Sequence, residues 1–183
     1  MVPEAIIAGL VIGFLRNGSL KQLGHINLSG WPLIALSMAL QAAVRIDFAL
    51  NTGFLSAATP LLYVFSFVLL LSFAFLQPSK KSMFLIGLGI LLNLLVITAN
   101  KGLMPVDARR IPPLVREELA SGTLSPFHTV MTEDTWLDFL GDRIMLPYAK
   151  NQLISIGDII LAGGLMLYVQ QNMLKDKRIK KYR

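Results

Sequence analysis

Long apolar segments limit the fold of this sequence more than any other feature. Four of its five apolar segments come close to the roughly 20 residues that a helix needs to cross the hydrocarbon core of a bilayer. Because lipid offers the backbone no hydrogen-bond partners, such segments must be helical. The sequence therefore predicts an all-α fold, a polytopic transmembrane helical bundle forming a single membrane domain. Its five spans are expected at 3–15, 31–50, 59–76, 83–99 and 153–170.

The first of these segments differs from a cleaved signal peptide. It is short and carries Glu4 at its start, and Arg16-Asn17-Gly18 follow it. A signal peptide instead needs a basic start and a small-residue cleavage site. We therefore expect a retained span, with a tilted helix or one that enters only part of the membrane as alternatives.

Composition agrees with a membrane protein and excludes several other classes. Hydrophobic residues make up 54% of the chain and charged residues only 15%, whereas a soluble domain carries about 25% charged residues. The chain has no cysteine, so disulfides and thiolate metal sites are excluded. The net charge of +6 does not indicate nucleic-acid binding, because its basic residues do not cluster on a soluble face.

The basic residues predict the orientation. Six of the 17 lie in the last nine positions, within a tail at 171–183 that we expect to contact anionic lipid in the cytoplasm. With this tail inside, the positive-inside rule also places Lys80 and Lys81 inside. The sequence therefore predicts a plasma membrane protein with its amino terminus outside and its carboxyl terminus in the cytoplasm.

The connection at 100–151 would then be a long extracytoplasmic loop. It is expected to be partly helical, because proline and acidic residues at 113–120 indicate a short helix. Trp136, Phe139 and Leu140 have helical spacing and are expected at the headgroup level of the outer surface. Pro147-Tyr148 would then return the chain to the membrane.

Two aspartates are the first candidates for chemistry. Asp158 lies within the last apolar segment, and Asp142 precedes it on the same predicted side. Two close carboxylates cannot both ionise easily, so one would hold a proton while the other activates water, as in an aspartyl hydrolase. The alternatives are structural: a later helix start would make Asp158 a helix-end carboxylate, and Arg143 would pair with Asp142.

Four other polar residues are candidates for binding or structure. Asn100, at the outer end of the fourth span, would contact a ligand or the loop, whereas Asn93 within the span would bond a neighbouring helix. Arg45 would reach the outer headgroups or pair with a carboxylate inside the bundle. His128 would be an ordinary loop residue or, next to the two aspartates, a proton carrier or a metal ligand. No spacing identifies a metal, and no motif indicates a cofactor.

The second half of the chain resembles known proteins at Asn-Lys-Gly-Leu-Met-Pro-Val (100–106), His128, Leu-Gly-Asp-Arg-Ile (140–144), Leu-Pro (146–147) and Ser-Ile-Gly-Asp (155–158). In these segments it resembles a family of small multi-spanning bacterial membrane proteins, a domain of unknown function. This resemblance implies the architecture and no activity.

A second, local resemblance concerns the order of Asn100, Asp142-Arg143 and Asp158. The order is similar to that in lipoprotein signal peptidases, which are aspartyl enzymes. The resemblance implies that Asp142 and Asp158 would be the catalytic pair and that Asn100 would contact substrate. The sequence departs from that family in having glycine before Asp-Arg, Ser-Ile-Gly before Asp158, and five predicted spans instead of four.

Three hypotheses for function follow. The first is a non-catalytic membrane protein in which the outer loop and span ends bind a lipid, a peptide or a protein partner, with Asn100, His128, Arg143 and Arg45 as binding residues. The second is an aspartyl hydrolase that acts at the outer membrane face through Asp142 and Asp158. The third is a small-solute transporter, for which the spans offer few buried polar groups.

Overall fold

The structure is a computed structural model that describes residues 1–24, 26, 28–77, 81–146 and 152–174. Its α-helices are α1 (Val2–Leu15), α2 (Leu20–Leu23), α3 (Trp31–Ala49), α4 (Thr59–Leu76), α5 (Lys81–Ala99), α6 (Pro113–Ala120) and α7 (Ile156–Met173). Its strands are β1 (Met104–Val106), β2 (His128–Val130), β3 (Ile144–Met145) and β4 (Leu153–Ile154). The predicted chain return at 147–148 and the tail from 175 lie outside the described residues.

All five apolar segments of the sequence form helices. Among the described residues, α3, α4 and α5 are long and apolar enough to cross a membrane. Helix α1 has only 14 residues, and α7 ends with Gln170, Gln171 and Asn172, which lower its apolar content. Length and composition therefore identify three candidate spans among the described residues, and the predicted count of five is not confirmed.

The long helices pack side by side in the order α1, α7, α5, α4 and α3. Helix α7 packs against α1 and α5, while α4 packs against α3 and α5. Glycines allow α5 and α7 to approach closely, because a Cβ atom at Gly89 would lie 2.5 Å from the Gly157 carbonyl oxygen. Small residues at a helix crossing favour close van der Waals packing inside membranes.

The long connection between α5 and α7 contains secondary structure that the sequence only partly predicted. The short helix predicted at 113–120 is confirmed as α6. The prediction of an all-α fold is corrected to a mostly helical one, because β1 pairs with β2 in parallel and β3 pairs with β4 in antiparallel fashion. Parallel strands need a crossover of a dozen or more residues, and the segment with α6 supplies it.

The apolar stretch after Trp136 forms less helix than the sequence suggested. Only a 3-10 turn, Asp138–Leu140, is present, and Leu137 before it has a φ of 53° in the left-handed region, which interrupts a right-handed helix. Trp136 and Phe139 are exposed, whereas Leu140 is buried. The prediction that all three residues face the headgroups is therefore wrong for Leu140.

Helix α7 begins later than position 153, the predicted start of the last span. Strand β4 occupies Leu153–Ile154, and Ser155 caps the helix. The Ser155 hydroxyl accepts a hydrogen bond from the Asp158 amide, and the Asp158 carboxylate accepts one from the Ser155 amide. This reciprocal capping box satisfies backbone donors at the helix start. Asp158 therefore lies in the first turn, in agreement with the helix-end interpretation.

The close crossing of α5 and α7 predicts the effect of two alanine substitutions. Gly89→Ala should lower the free energy of unfolding by about 1–3 kcal/mol, because the added methyl group meets the α7 backbone and forces the helices apart. Gly163→Ala is the matched control, since no atom lies within 4 Å of a Cβ at that position. Thermal unfolding in detergent measures both effects, and equal unfolding temperatures for the two variants would contradict the packing argument.

Candidate functional site

The long connection folds onto one end of the helix bundle. A buried apolar cluster joins α3, α4 and α5 to the strands and the 3-10 turn; its members are Val44, Tyr63, Val96, Ile97, Met104, Phe127 and Leu140. Phe127 is completely buried and its ring stacks on that of Tyr63, with 4.4 Å between ring centroids. The Met104 amide donates a hydrogen bond to the Phe127 carbonyl oxygen, which ties β1 to this anchor.

Backbone hydrogen bonds fix Asp142 beside β1. The Asp142 amide donates to the Pro105 carbonyl oxygen and the Asp107 amide donates to the Asp142 carbonyl oxygen, each over 2.9 Å. The preceding residue must be small, because a Cβ at Gly141 would lie 2.7 Å from the Pro105 carbonyl oxygen and would also meet Met131. The glycine before Asp142 is therefore required by the close approach of this segment to β1.

The Asp142 side chain is buried at the junction of the loop and the bundle. Its Oδ1 atom has no hydrogen-bond partner among the described residues, and Oδ2 lies 3.7 Å from His128 Nε2. Burial raises the pKa of Asp142 to about 8, with a further contribution from the negative charge of Asp158. A carboxyl group with this pKa carries a proton at pH 7.

His128 faces Asp142 from β2. Its Nδ1 atom shares a 2.7 Å hydrogen bond with the Ser125 hydroxyl. Burial lowers the pKa of His128, and the positive charge of Arg45 lowers it further. His128 is therefore neutral at pH 7, and its contact with Asp142 joins two neutral groups instead of forming an ion pair.

Asp158 reaches the same region from the start of α7. The Asn93 side-chain amide donates to Asp158 Oδ1 over 2.8 Å, and the Ser155 hydroxyl donates to the Asn93 amide oxygen over 2.8 Å. With the Ser155 amide, these groups form a closed network between α5 and α7. Asn93 thus bonds a neighbouring helix, as the sequence predicted.

Asp142 and Asp158 differ in their surroundings although they lie near each other. Asp158 is close enough for its charge to raise the pKa of Asp142, and it accepts hydrogen bonds at both carboxylate oxygens. Asp142 is buried, and one of its oxygens has no partner among the residues that the structure describes. One acidic group is thus protonated while the other is held by donors, which is the unequal state that paired carboxyl groups adopt.

Arg45 and Tyr63 complete the polar surroundings. The Arg45 side chain is exposed, and its guanidinium carbon lies 5.1 Å from the centroid of the Phe127 ring, a cation–π distance. Tyr63 of α4 lies in the same region, because its ring stacks on that of Phe127. The sequence analysis missed Tyr63, for which the available signal was a polar hydroxyl within an otherwise apolar span.

Two of the predicted binding residues have other partners. The Asn100 side chain accepts a hydrogen bond from the Trp136 amide and donates one to the Trp136 carbonyl oxygen, so it fastens the loop to the end of α5. Arg143 pairs with exposed Asp138 over 3.0 Å. The structural alternative that paired Arg143 with Asp142 is therefore wrong. In the described part of the chain, no cluster of three or more acidic or histidine residues is arranged to hold a metal ion.

Comparison with known proteins gives two matches. The sequence matches a family of unknown function, DUF5317, over residues 25–170. It is also 28% identical over 170 residues to an uncharacterized protein of Thermotoga maritima, an alignment that covers 92% of this chain and 89% of that protein. No solved structure matches the chain. Neither match links it to lipoprotein signal peptidases. Because the family match covers most of the sequence, this chain belongs to the DUF5317 family.

Proposed function

We propose that the protein is a multi-pass protein of a bacterial plasma membrane, with its amino terminus outside and its basic tail in the cytoplasm. Hydrogen bonds from Arg16 to Gln170 and from Ser82 to Gln171 join the helix ends that this topology assigns to the cytoplasm. Lys81 lies at the same end. The site around Asp142 then faces the outside of the cell.

We further propose that this site binds the polar group of a lipid, peptide or protein partner. The supporting observation is the buried Asp142 Oδ1 atom, which has no hydrogen-bond partner within the part of the chain that the structure describes. Leaving a buried polar atom unpaired costs about 1–3 kcal/mol, and a ligand that donates a hydrogen bond there removes that cost. A protonated carboxyl group both donates and accepts, so Asp142 suits an amide, hydroxyl or ester group.

A second candidate function is aspartyl hydrolysis at the outer membrane face. The unequal states of Asp142 and Asp158 favour it. In this reaction Asp158 takes a proton from water, the water oxygen bonds to a carbonyl carbon, and Asp142 gives its proton to the leaving atom as the ester or amide bond breaks. The reaction needs the two carboxyl groups within about 5–6 Å of each other around one shared water.

The raised pKa of Asp142 predicts that stability falls as the pH rises. The unfolded carboxyl group, with an ordinary pKa near 3.8, is already ionised at pH 7, whereas the folded group titrates at about 8. Between pH 7 and pH 9 the folded state must lose this proton, which costs about 1.4 kcal/mol of stability. His128 does not interfere, because its lowered pKa affects stability only below about pH 6.5.

Thermal unfolding of the wild type and Asp142→Asn at pH 7 and pH 9 measures this effect. The variant keeps the shape of the protonated group and cannot ionise, so its unfolding temperature should depend less on pH. Asp138→Asn is the control, because exposed Asp138 should leave the wild-type pH dependence intact. An equal pH dependence in the wild type and Asp142→Asn would contradict the assignment of the buried proton.

Single substitutions separate the binding and hydrolase functions. A synthetic diacylated lipopeptide is titrated into the detergent-solubilised protein, and both stabilisation against unfolding and cleavage are measured. Asp142→Ala should weaken binding by about tenfold, since it removes a hydrogen bond to the ligand. Asp158→Asn should leave binding intact if Asp158 only caps α7, and should abolish cleavage if the pair is catalytic.

The control for this titration is Asp138→Ala, which removes a loop carboxylate outside the site. Binding of the lipopeptide by Asp142→Ala with wild-type affinity would remove the proposed binding role for this ligand. Cleavage that persists in Asp158→Asn would remove the hydrolase.

A further inference from the structure

A groove lies between α4 and α5 on the surface of the bundle, at the end opposite the Asp142 site. Its volume is about 300 Å³. Ala74 and Gly87 line it, and a Cβ at Gly87 would lie 3.4 Å from that of Ala74, an ordinary contact. Phe75 and Phe84 also line it and are largely exposed. Small residues between two projecting aromatic rings therefore leave an open apolar channel.

The dimensions of the groove match one leaflet of a bilayer. The stretch of α5 that lines it, Met83 to Leu91, extends about 12 Å along the helix axis at 1.5 Å per residue. Half of the hydrocarbon core is about 15 Å thick. The volume is too small for a helix of about 10 Å diameter along this length, whereas a single hydrocarbon chain is much narrower.

The groove is polar at one end and apolar at the other. Gln77 lines it where α4 ends, and exposed Lys81 begins α5 three residues before the lining residue Phe84, a spacing that puts both on one helix face. Leu71 and Leu91 line the opposite end, deeper in the spans. The positive end of the α5 dipole adds to the charge of Lys81. The arrangement of a cation above an apolar channel is complementary to a negatively charged amphiphile.

We propose that this groove binds an anionic phospholipid, with one acyl chain between α4 and α5 and the phosphate group at Lys81. In the topology proposed above, Lys81 faces the cytoplasmic leaflet, whose surface is negatively charged. The lipid site is separate from the Asp142 site and uses none of its residues. It would fasten the α4–α5 hairpin in the inner leaflet.

The test measures the lipids that stay bound to the full-length protein. The protein is reconstituted in nanodiscs of phosphatidylcholine and phosphatidylglycerol, extracted with mild detergent, and analysed by native mass spectrometry. The wild type should retain phosphatidylglycerol in preference to phosphatidylcholine. Gly87→Leu should lose the retained lipid, because the added side chain fills the channel. Lys81→Gln should lower the preference for phosphatidylglycerol about fivefold, the contribution of one lysine near an anionic surface.

Two matched variants control for indirect effects. Gly163→Leu places the same side chain on an open surface of α7, and Lys101→Gln removes a lysine at the other end of α5. Both should retain lipid as the wild type does.

Equal retention by the wild type, Gly87→Leu and Lys81→Gln would overturn the proposal. A dimer of the wild type that Gly87→Leu abolishes would also overturn it, because the groove would then be a contact between two copies. Lys81→Gln alters only an exposed side chain and so tests the site even if Gly87→Leu fails to fold.

Discussion

The burial of Phe127 between the loop and the helices is the interaction on which the Asp142 end of the structure depends. Its ring stacks on Tyr63 of α4, and its carbonyl oxygen accepts a hydrogen bond from Met104 at the start of β1. This single residue therefore connects both strands of the parallel pair to the bundle. Because β1 in turn holds Asp142 through backbone hydrogen bonds, the position of that carboxyl group follows from the seating of Phe127.

Covering the helix ends in this way determines the electrostatics of the site. A carboxylate removed from water loses its hydration and takes up a proton unless donors or cations compensate. Asp158 has compensating donors, since Asn93 and the Ser155 amide bond to it. Among the described residues Asp142 lacks them, because His128 beside it is neutral. The two acids therefore differ because of the elements on which they lie. The start of a helix has free backbone amides that can donate to Asp158, whereas the backbone amide of Asp142 already donates to β1.

The sequence predicted the helices well and the site only in part. Segment length and hydropathy placed α4 at its observed bounds and α5 within two residues, because a long apolar run has few other structures open to it. The strands were missed, since two or three residues are too few to show an alternating pattern. Asp142 and Asp158 were found because charge next to apolar segments is conspicuous, whereas Tyr63 was missed because its contacts come from segments distant in sequence.

The structural roles of Asp142 and Asp158 help to decide between the two candidate functions, binding and hydrolysis. A general base must exchange protons with water during each cycle, yet Asp158 also holds the first turn of α7 and the crossing with α5 through Asn93. Protonating it would weaken the hydrogen bonds that it accepts, so catalysis would work against the fold at every turnover. The described residues give the Asp142 side chain no such structural role, and its buried Oδ1 atom has no hydrogen-bond partner among them. Binding at Asp142 therefore makes fewer demands on the same residues than hydrolysis does.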